Sequence, residues 1–416
     1  MEVSKKRCEM IGSIIRIYRK EQLSGSKGAR WTQASFCKDI CSIGTLSSIE
    51  KGNICRFMDV YPALLAKFNL EFGEFPIVDT ALDQLIDELY VAVEYYRKED
   101  IVKIIQKALK ILSNIKEFVY YADLHNIFMH LKLYYVQDKL LPYTYIQQLL
   151  SLFCVLPKKL EDILKVNIFN CTYRYRDDKE FLKVYTKLDI PNNSFICCKI
   201  QLLMYYMFTD NGIEFIKLSH EIEKELEDSK NYIRLFDVYN NCIAMMTHLG
   251  KGELSKYIDR AEQLIDMGTI PTDRIAVYYY NSGISLYTNK EYENAYKKLA
   301  QSIQYDDADL FPNILFMASC CSRMNVTMNI PVISPIELAN YSKRFRYIYE
   351  YFTMDENVSV DKKQAYIMDT ILPELEAQEP LFVEMFRYEL NNLMCVTNQY
   401  KDGYIYDLRT REILQS

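Results

Sequence analysis

From about residue 79 onward, apolar residues recur three and four positions apart, and short polar stretches interrupt the runs. That spacing is the 3.6-residue period of a helix with one buried face. The breakers fall between the periodic segments, at Pro142, Pro157, Pro191, Gly212, Gly250, Pro271 and Pro312. Six of the 12 glycines precede residue 74, so little in the rest of the chain interrupts helix. Strand-like alternation is not sustained anywhere; Tyr404-Ile405-Tyr406-Asp407-Leu408 is the one weak strand candidate. The pattern predicts an all-α protein.

A longer period emerges when the second helix of each predicted pair is aligned. These helices open near Ile101, Ile146, Phe181, Phe215, Leu254 and Tyr292, at spacings of 45, 35, 34, 39 and 38 residues. The values bracket the roughly 34-residue period of tetratricopeptide repeats. Tyr279-Tyr280-Asn281-Ser282-Gly283, Tyr287, Tyr292-Glu293-Asn294-Ala295 and Leu299 resemble such a repeat residue by residue. The other units match in helix length and spacing. Gly283 and Ala295 are the small residues that let two helices cross closely. Stacked pairs imply a right-handed TPR-like α-solenoid with a concave inner face. A non-repetitive α-solenoid is the alternative; it keeps the architecture and changes which residues line the hollow.

The first 70 residues are punctuated differently. Trp31-Thr32-Gln33-Ala34-Ser35-Phe36-Cys37, followed by Ile40 to Gly52, predicts two short helices about a tight turn, the shape that sets a helix end into the major groove. Thr32 is placed to cap the first helix, and Phe36 with Cys37 forms its buried side. Leu46 and Ile49 share the buried face of the second helix. Gly44, Thr45, Ser47 and Ser48 take its other faces, and Gly52 closes it in a left-handed conformation. An ordinary helical hairpin is the alternative.

Thr32-Gln33 followed by Leu46-Ser47-Ser48-Ile49-Glu50-Lys51-Gly52 resembles the Cro/repressor-type helix-turn-helix. Ile11 to Arg16 is similar to its first helix and Tyr61 to Leu70 to its last, so the resemblance covers residues 7–70. The connection from Leu23 to Arg30 is longer than that family carries, and is either a basic wing on the phosphates or a loose loop. The resemblance implies that Arg30, Gln33 and Lys51 contact phosphates and that Thr45, Ser48 and Ser47 face base edges, with Thr32 and Gly44 completing the DNA-facing set. None of the base-edge candidates is an Arg, Asn or Gln able to make a bidentate base contact, so dimer spacing and DNA shape are expected to contribute much of the specificity. Glu50 would repel phosphates there; it is expected to pair with Arg16 or Arg19.

Charge supports that division. The whole chain carries −6, which alone argues against nucleic acid. Residues 1–70, however, hold 12 Lys+Arg and 6 Asp+Glu, a balance of +6, leaving 38 against 50, or −12, for residues 71–416. A basic head on an acidic body suits a chain with one DNA-facing end. Apolar runs stay well short of the roughly 18–20 residues that span a bilayer. The start, Met-Glu-Val-Ser-Lys-Lys-Arg, has no signal-peptide core, so a cytoplasmic location without membrane attachment is expected. The 12 cysteines follow no disulfide scaffold; Cys37 and Cys41 lie four apart, while Cys197-Cys198 and Cys320-Cys321 are adjacent, and reduced, mostly buried thiols are expected. His125, His130, His220 and His248 form no HExxH motif, and CxxC pairs, phosphate loops and nucleophile elbows are lacking, so neither catalysis nor a metal or cofactor is expected.

A Cro-type unit ahead of about 340 residues of TPR-like helices is similar to the RRNPP-type peptide-sensing regulators of low-GC Gram-positive bacteria and their phages, the group of PlcR, NprR, Rgg, PrgX and the arbitrium receptors. The resemblance implies a DNA-binding domain over 1–72 and a peptide-binding and dimerisation domain over 73–416. It implies a homodimer on paired half-sites of double-stranded DNA, controlled by a short signalling peptide. Asn170 stands eleven residues before Phe181, Asn281 eleven before Tyr292, and Asn241 thirteen before Leu254. In tetratricopeptide proteins that position faces the hollow, where an amide side chain can both donate to and accept from a peptide backbone. Tyr173, Asp237 and Tyr280 would add side-chain pockets. Inter-repeat hydrogen bonds are the other use of such asparagines, and a TPR scaffold that sequesters a protein partner, as the related Rap proteins do, is the alternative function.

Overall fold

The computed structural model describes residues 3–21, 23–24, 29–175, 178–249, 254–305, 310–339, 341–355, 357–375, 380–398 and 400–415. Among them the protein is all-α, as the apolar period predicts. The sole paired extended backbone among the described residues is a two-residue antiparallel ladder, β1 (Leu23–Ser24) with β2 (Ala29–Arg30), and an isolated bridge between Glu71 and Phe118. None of the described helices is long and apolar enough to cross a membrane. The chain divides into two compact units, Met1–Leu235 and Phe236–Ser416.

In the first unit, α1 (Lys5–Glu21), α2 (Gln33–Phe36), α3 (Ile43–Glu50) and α4 (Val60–Leu65) make a small N-terminal bundle. Eight helices follow: α5 (Pro76–Glu94), α6 (Lys98–Leu112), α7 (Tyr121–Gln137), α8 (Tyr143–Leu152), α9 (Lys158–Arg174), α10 (Asp178–Leu188), α11 (Ile196–Phe208) and α12 (Gly212–Asp228). Successive helices pack as neighbours, α5 on α6, α6 on α7, α9 on α10 and α11 on α12, and α9 also packs on α5 and α11. Pro76 opens α5 at a position where its missing N–H has no intrahelical acceptor to lose.

α13 (Tyr232–Leu249) leads into the second unit, which continues with α14 (Leu254–Asp266), α15 (Thr272–Thr288), α16 (Tyr292–Ser302), α17 (Leu310–Met324), α18 (Pro335–Leu338), α19 (Lys343–Phe352), α20 (Val360–Tyr366), α21 (Pro380–Thr397) and α22 (Lys401–Gln415). The α15–α16 crossing has the basis expected of Gly283 and Ala295. A Cβ on Gly283 would lie 2.7 Å from Leu299 Cγ and 3.3 Å from the Ala295 carbonyl oxygen. The strand candidate Tyr404–Leu408 is overturned, because it lies inside α22. A strand would put residues 404, 406 and 408 on one face; instead Tyr406 is 1% exposed while Tyr404 and Leu408, four apart, are 67% and 43% exposed.

Helix ends repeat one device without glycine. Tyr96, Asp210, Lys230, Lys290 and Asn325 follow α5, α11, α12, α15 and α17 in the left-handed region, with φ of 54, 52, 55, 67 and 53°. In each case the next amide reaches back five residues, Arg97 to Ala92, Asn211 to Tyr206, Asn231 to Leu226, Glu291 to Leu286 and Val326 to Cys321, at 2.8 to 3.1 Å. This is the outer bond of a Schellman cap, which satisfies carbonyls that the helix leaves open. A side chain in this conformation carries a steric cost that glycine escapes. Lys230 is exposed, so Lys230→Gly is expected to raise stability by about 1 kcal/mol, measured as a higher urea midpoint with an unchanged slope.

Candidate nucleic-acid interface

The N-terminal bundle is built on one very close crossing. A Cβ on Gly12 of α1 would stand 2.1 Å from the carbonyl oxygen of Ile49, so only glycine lets α1 lie directly on α3. Phe36, Leu46, Ile49, Ile11, Ile14 and Ile15 fill the space around it with almost no exposure. Trp31, Phe36 and Phe68 form an aromatic cluster with centroids 5.2 to 5.4 Å apart, and Tyr18 meets Phe68 edge-on at 5.3 Å. The buried faces expected for Phe36, Cys37, Leu46 and Ile49 are all present.

Caps fix the two short helices. Thr32 caps α2, its hydroxyl oxygen accepting from the Ser35 amide at 3.1 Å. Ser42, which the sequence reading did not single out, caps α3 by accepting from the Thr45 amide at 3.0 Å. Its position before Ile43 at a turn was the available signal. Gly52 has φ +85° and closes α3 as expected, its amide on Ile49 O at 2.9 Å, while the Asn53 amide reaches Ser48 O at 3.1 Å.

A charged fork ties the ends together. Arg19 of α1 grips Glu50 with two bonds, Nε to Oε1 at 2.5 Å and Nη2 to Oε2 at 2.9 Å, and its Nη1 donates to the Trp31 carbonyl at 3.0 Å. Gln33 Nε2 donates to Glu50 Oε2 at 2.8 Å. Of the two arginines expected for Glu50, the partner is Arg19. Gln33, expected on phosphate, thus places one N–H of its amide on the fork. A planar guanidinium matched to a carboxylate fixes both distance and orientation, so the fork ties α1, α2 and α3 to one another.

The outward side of α2 and α3 is left small, and the turn between them exposes one acid, Asp39, beside Lys38. Thr32, Lys38, Ser42, Ile43, Gly44, Ser48 and Lys51 are exposed, while Thr45, Ser47 and Gln33 are half-buried. The Thr45 hydroxyl is 2.9 Å from the Ser42 hydroxyl, so this base-edge candidate is already engaged within its own helix. The backbone of Arg30 lies in β2, but its side chain falls outside the described residues, as do residues 25–28 of the long connection.

The same unit anchors this bundle to the helices behind it. Arg7 donates to Asp79 at 2.6 Å and lies over the Tyr120 ring at 4.1 Å, and Tyr121 donates to Asp79 at 2.9 Å. Tyr18 donates to Asp123 of α7. Burial pushes the Asp123 carboxyl up to about 6, against the Tyr18 hydroxyl, which favours the charged form, and with Glu21 adding to the rise. A carboxyl whose pKa is higher folded than unfolded binds its proton more tightly in the folded state. Its contribution to stability therefore grows as pH falls through about 6 toward the unfolded value near 4. Asp123→Asn is expected to be up to about 2 kcal/mol more stable than the parent at pH 7.5, with the difference narrowing to about a third of that at pH 4.5 and closing below the unfolded value near 4. Urea titrations at the two pH values check it.

The peptide-facing candidates fall into one cluster per unit. In the first, Asn170 donates to the Tyr134 hydroxyl at 3.1 Å and accepts from Gln201 at 3.2 Å, and Tyr173, one turn on, packs between Phe169 and Phe181. Asn167 beside them accepts from Tyr135 at 2.9 Å. In the second, Asn281 donates to Asn240 at 3.0 Å, and Asp237 pairs with Arg274 at 3.3 Å. Asn241 and Tyr280 are half-buried. The α13 residue that bonds to Asn281 is Asn240; Asn241, the candidate for the hollow, is turned by about 100° from it around the helix. Asn240 was missed because a helical period alone does not say which of two adjacent amides faces a neighbour, and Gln201 because it stands at no position that the repeat spacing singled out.

Compared with models of known protein families, with curated proteins and with solved structures, the chain has no significant match.

Proposed function

We propose that the chain is a DNA-binding transcriptional regulator, with α2 and α3 acting as a Cro/repressor-type helix-turn-helix and the later helices as a TPR-like receptor for a short peptide, in a homodimer of the RRNPP type. The observation that carries the reading is the exposed side of α3. Its one acid, Glu50, is turned inward and held by Arg19 and Gln33, leaving Ser42, Gly44, Ser48 and Lys51 outward on a segment that carries a net +6. Removing a carboxylate from a phosphate-facing surface while keeping small residues there favours close approach to a duplex.

Fluorescence anisotropy with randomised duplex DNA tests it. Binding is expected, weakening with salt at a log–log slope of about −4 or steeper, and Lys51→Glu should weaken it about tenfold across all sequences. Absence of binding at 50 mM salt would count decisively against the reading. For the peptide, Asn281→Ala and Asn170→Ala should abolish the response of DNA binding to an active member of a synthetic peptide library. One observation favours the second reading, a scaffold for a protein partner: both asparagines already bond to neighbouring helices. On that reading, Lys51→Glu leaves partner capture untouched.

A further inference from the structure

We infer that Ile43 is the sequence-reading side chain of α3, an apolar surface for the 5-methyl group of thymine in the major groove. The inference rests on the DNA-binding reading above and adds the base it selects. Ile43 opens α3 and is 51% exposed, whereas the other aliphatics of that helix, Leu46 and Ile49, are 0% and 1% exposed. It therefore lies largely outside the core. As a β-branched residue in a helix it has essentially one χ1 rotamer, so its methyls are presented in a fixed direction.

Its surroundings leave it as the contact on that turn. The Ser42 oxygen is engaged with both the amide and the hydroxyl of Thr45. Gly44 has no side chain, and a Cβ built there would meet nothing nearer than Ser42 Oγ at 3.7 Å, so the space beside Ile43 is open. Exposed Lys38, Lys51 and Arg56 supply the cations for flanking phosphates. An aliphatic group has one distinctive partner on a major-groove edge, the thymine methyl.

Among the described residues, the other large apolar residues exposed on the bundle, Ile54, Phe57 and Met58, follow the far end of α3. An eight-residue helix is about 12 Å long, so Ile43 begins the opposite end.

The test uses the full-length protein, a duplex selected from a randomised pool, and a scan replacing each thymine by uracil, which removes the methyl alone. At one or two positions uracil is expected to weaken binding 3- to 10-fold. Ile43→Ala should lose a similar factor on the thymine duplex and become indifferent to uracil at those positions, with an unchanged salt slope; Ile43→Val should fall between. Trp31 emission, identical in the variants, reports that the bundle remains folded. Uracil tolerated everywhere, or an undiminished uracil penalty in Ile43→Ala, overturns the inference while leaving DNA binding standing. So does a uniform loss in Ile43→Ala accompanied by a lower sedimentation coefficient, which would make the residue a self-association contact. Failure to select any duplex overturns both.

Discussion

Arg19→Met is expected to destabilise the N-terminal bundle by about 3–5 kcal/mol, the usual effect of removing one partner from a buried ion pair. Arg19 and Glu50 have side chains 9% and 5% exposed. Without the guanidinium, a carboxylate stays behind in a buried crevice with the Gln33 amide as its remaining partner among the described residues, and the Trp31 carbonyl loses a donor. Arg19→Lys should recover only part of the loss, because an ammonium keeps the charge but cannot hold both oxygens and the carbonyl in one plane. Arg19→Met combined with Glu50→Leu should be much milder than the single change, since the stranded charge goes with its partner. The readout is built in: Trp31 is the single tryptophan of the chain, so its emission in a urea titration follows this bundle. A loss below about 1 kcal/mol would mean that the pair is well solvated after all.

Gly12→Ala is expected to cost about 3 kcal/mol, at the upper end of what one added methyl does in a packed interior. The obstacle is the backbone carbonyl of Ile49, 2.1 Å from the new carbon. A flexible side chain could swing aside; a carbonyl in the last turn of α3, bonded to the Gly52 amide, cannot without opening that terminus. α1 would have to withdraw from α3, loosening the Gly12 crossing and the Arg19–Glu50 fork together. The expected signature is an early Trp31 transition and at least a tenfold loss of DNA affinity, with far-ultraviolet ellipticity almost unchanged. Gly52→Ala gives the contrast. Its Cβ has room, 3.9 Å from the Glu9 side chain, and the cost is the left-handed conformation alone, about 1 kcal/mol.

Legibility in the sequence followed how local each cause was. The helices, the Thr32 cap and the Gly52 terminus depend on neighbours within one turn, and all are present. The close approach at Gly283 was readable because its partner, Ala295, is itself small and one helix away. The Arg19–Glu50 pair could be narrowed to two arginines by charge logic, but choosing between them needs the angle at which α1 crosses α3. The exposure of Ile43 escaped notice because hydrophobic residues at the start of a helix are normally assigned to its core. Tyr404–Leu408 was ambiguous for a different reason: five residues sample too little of a period to separate a strand from a helix that buries every fourth position. Among the amides, the Asn240–Asn281 bond was not legible, because the repeat alignment singled out Asn241 for the hollow and named no partner on a neighbouring helix.

The left-handed caps after α5, α11, α12, α15 and α17 have an evolutionary corollary. Their occupants are a tyrosine, an aspartate, two lysines and an asparagine, so at these bends the turn geometry accepts unbranched side chains of different size and charge at modest energetic cost. Selection then has little reason to preserve a particular letter at those bends, and substitutions can accumulate there neutrally. An architecture of this kind can persist over long descent while its alphabet drifts beyond the reach of pairwise comparison.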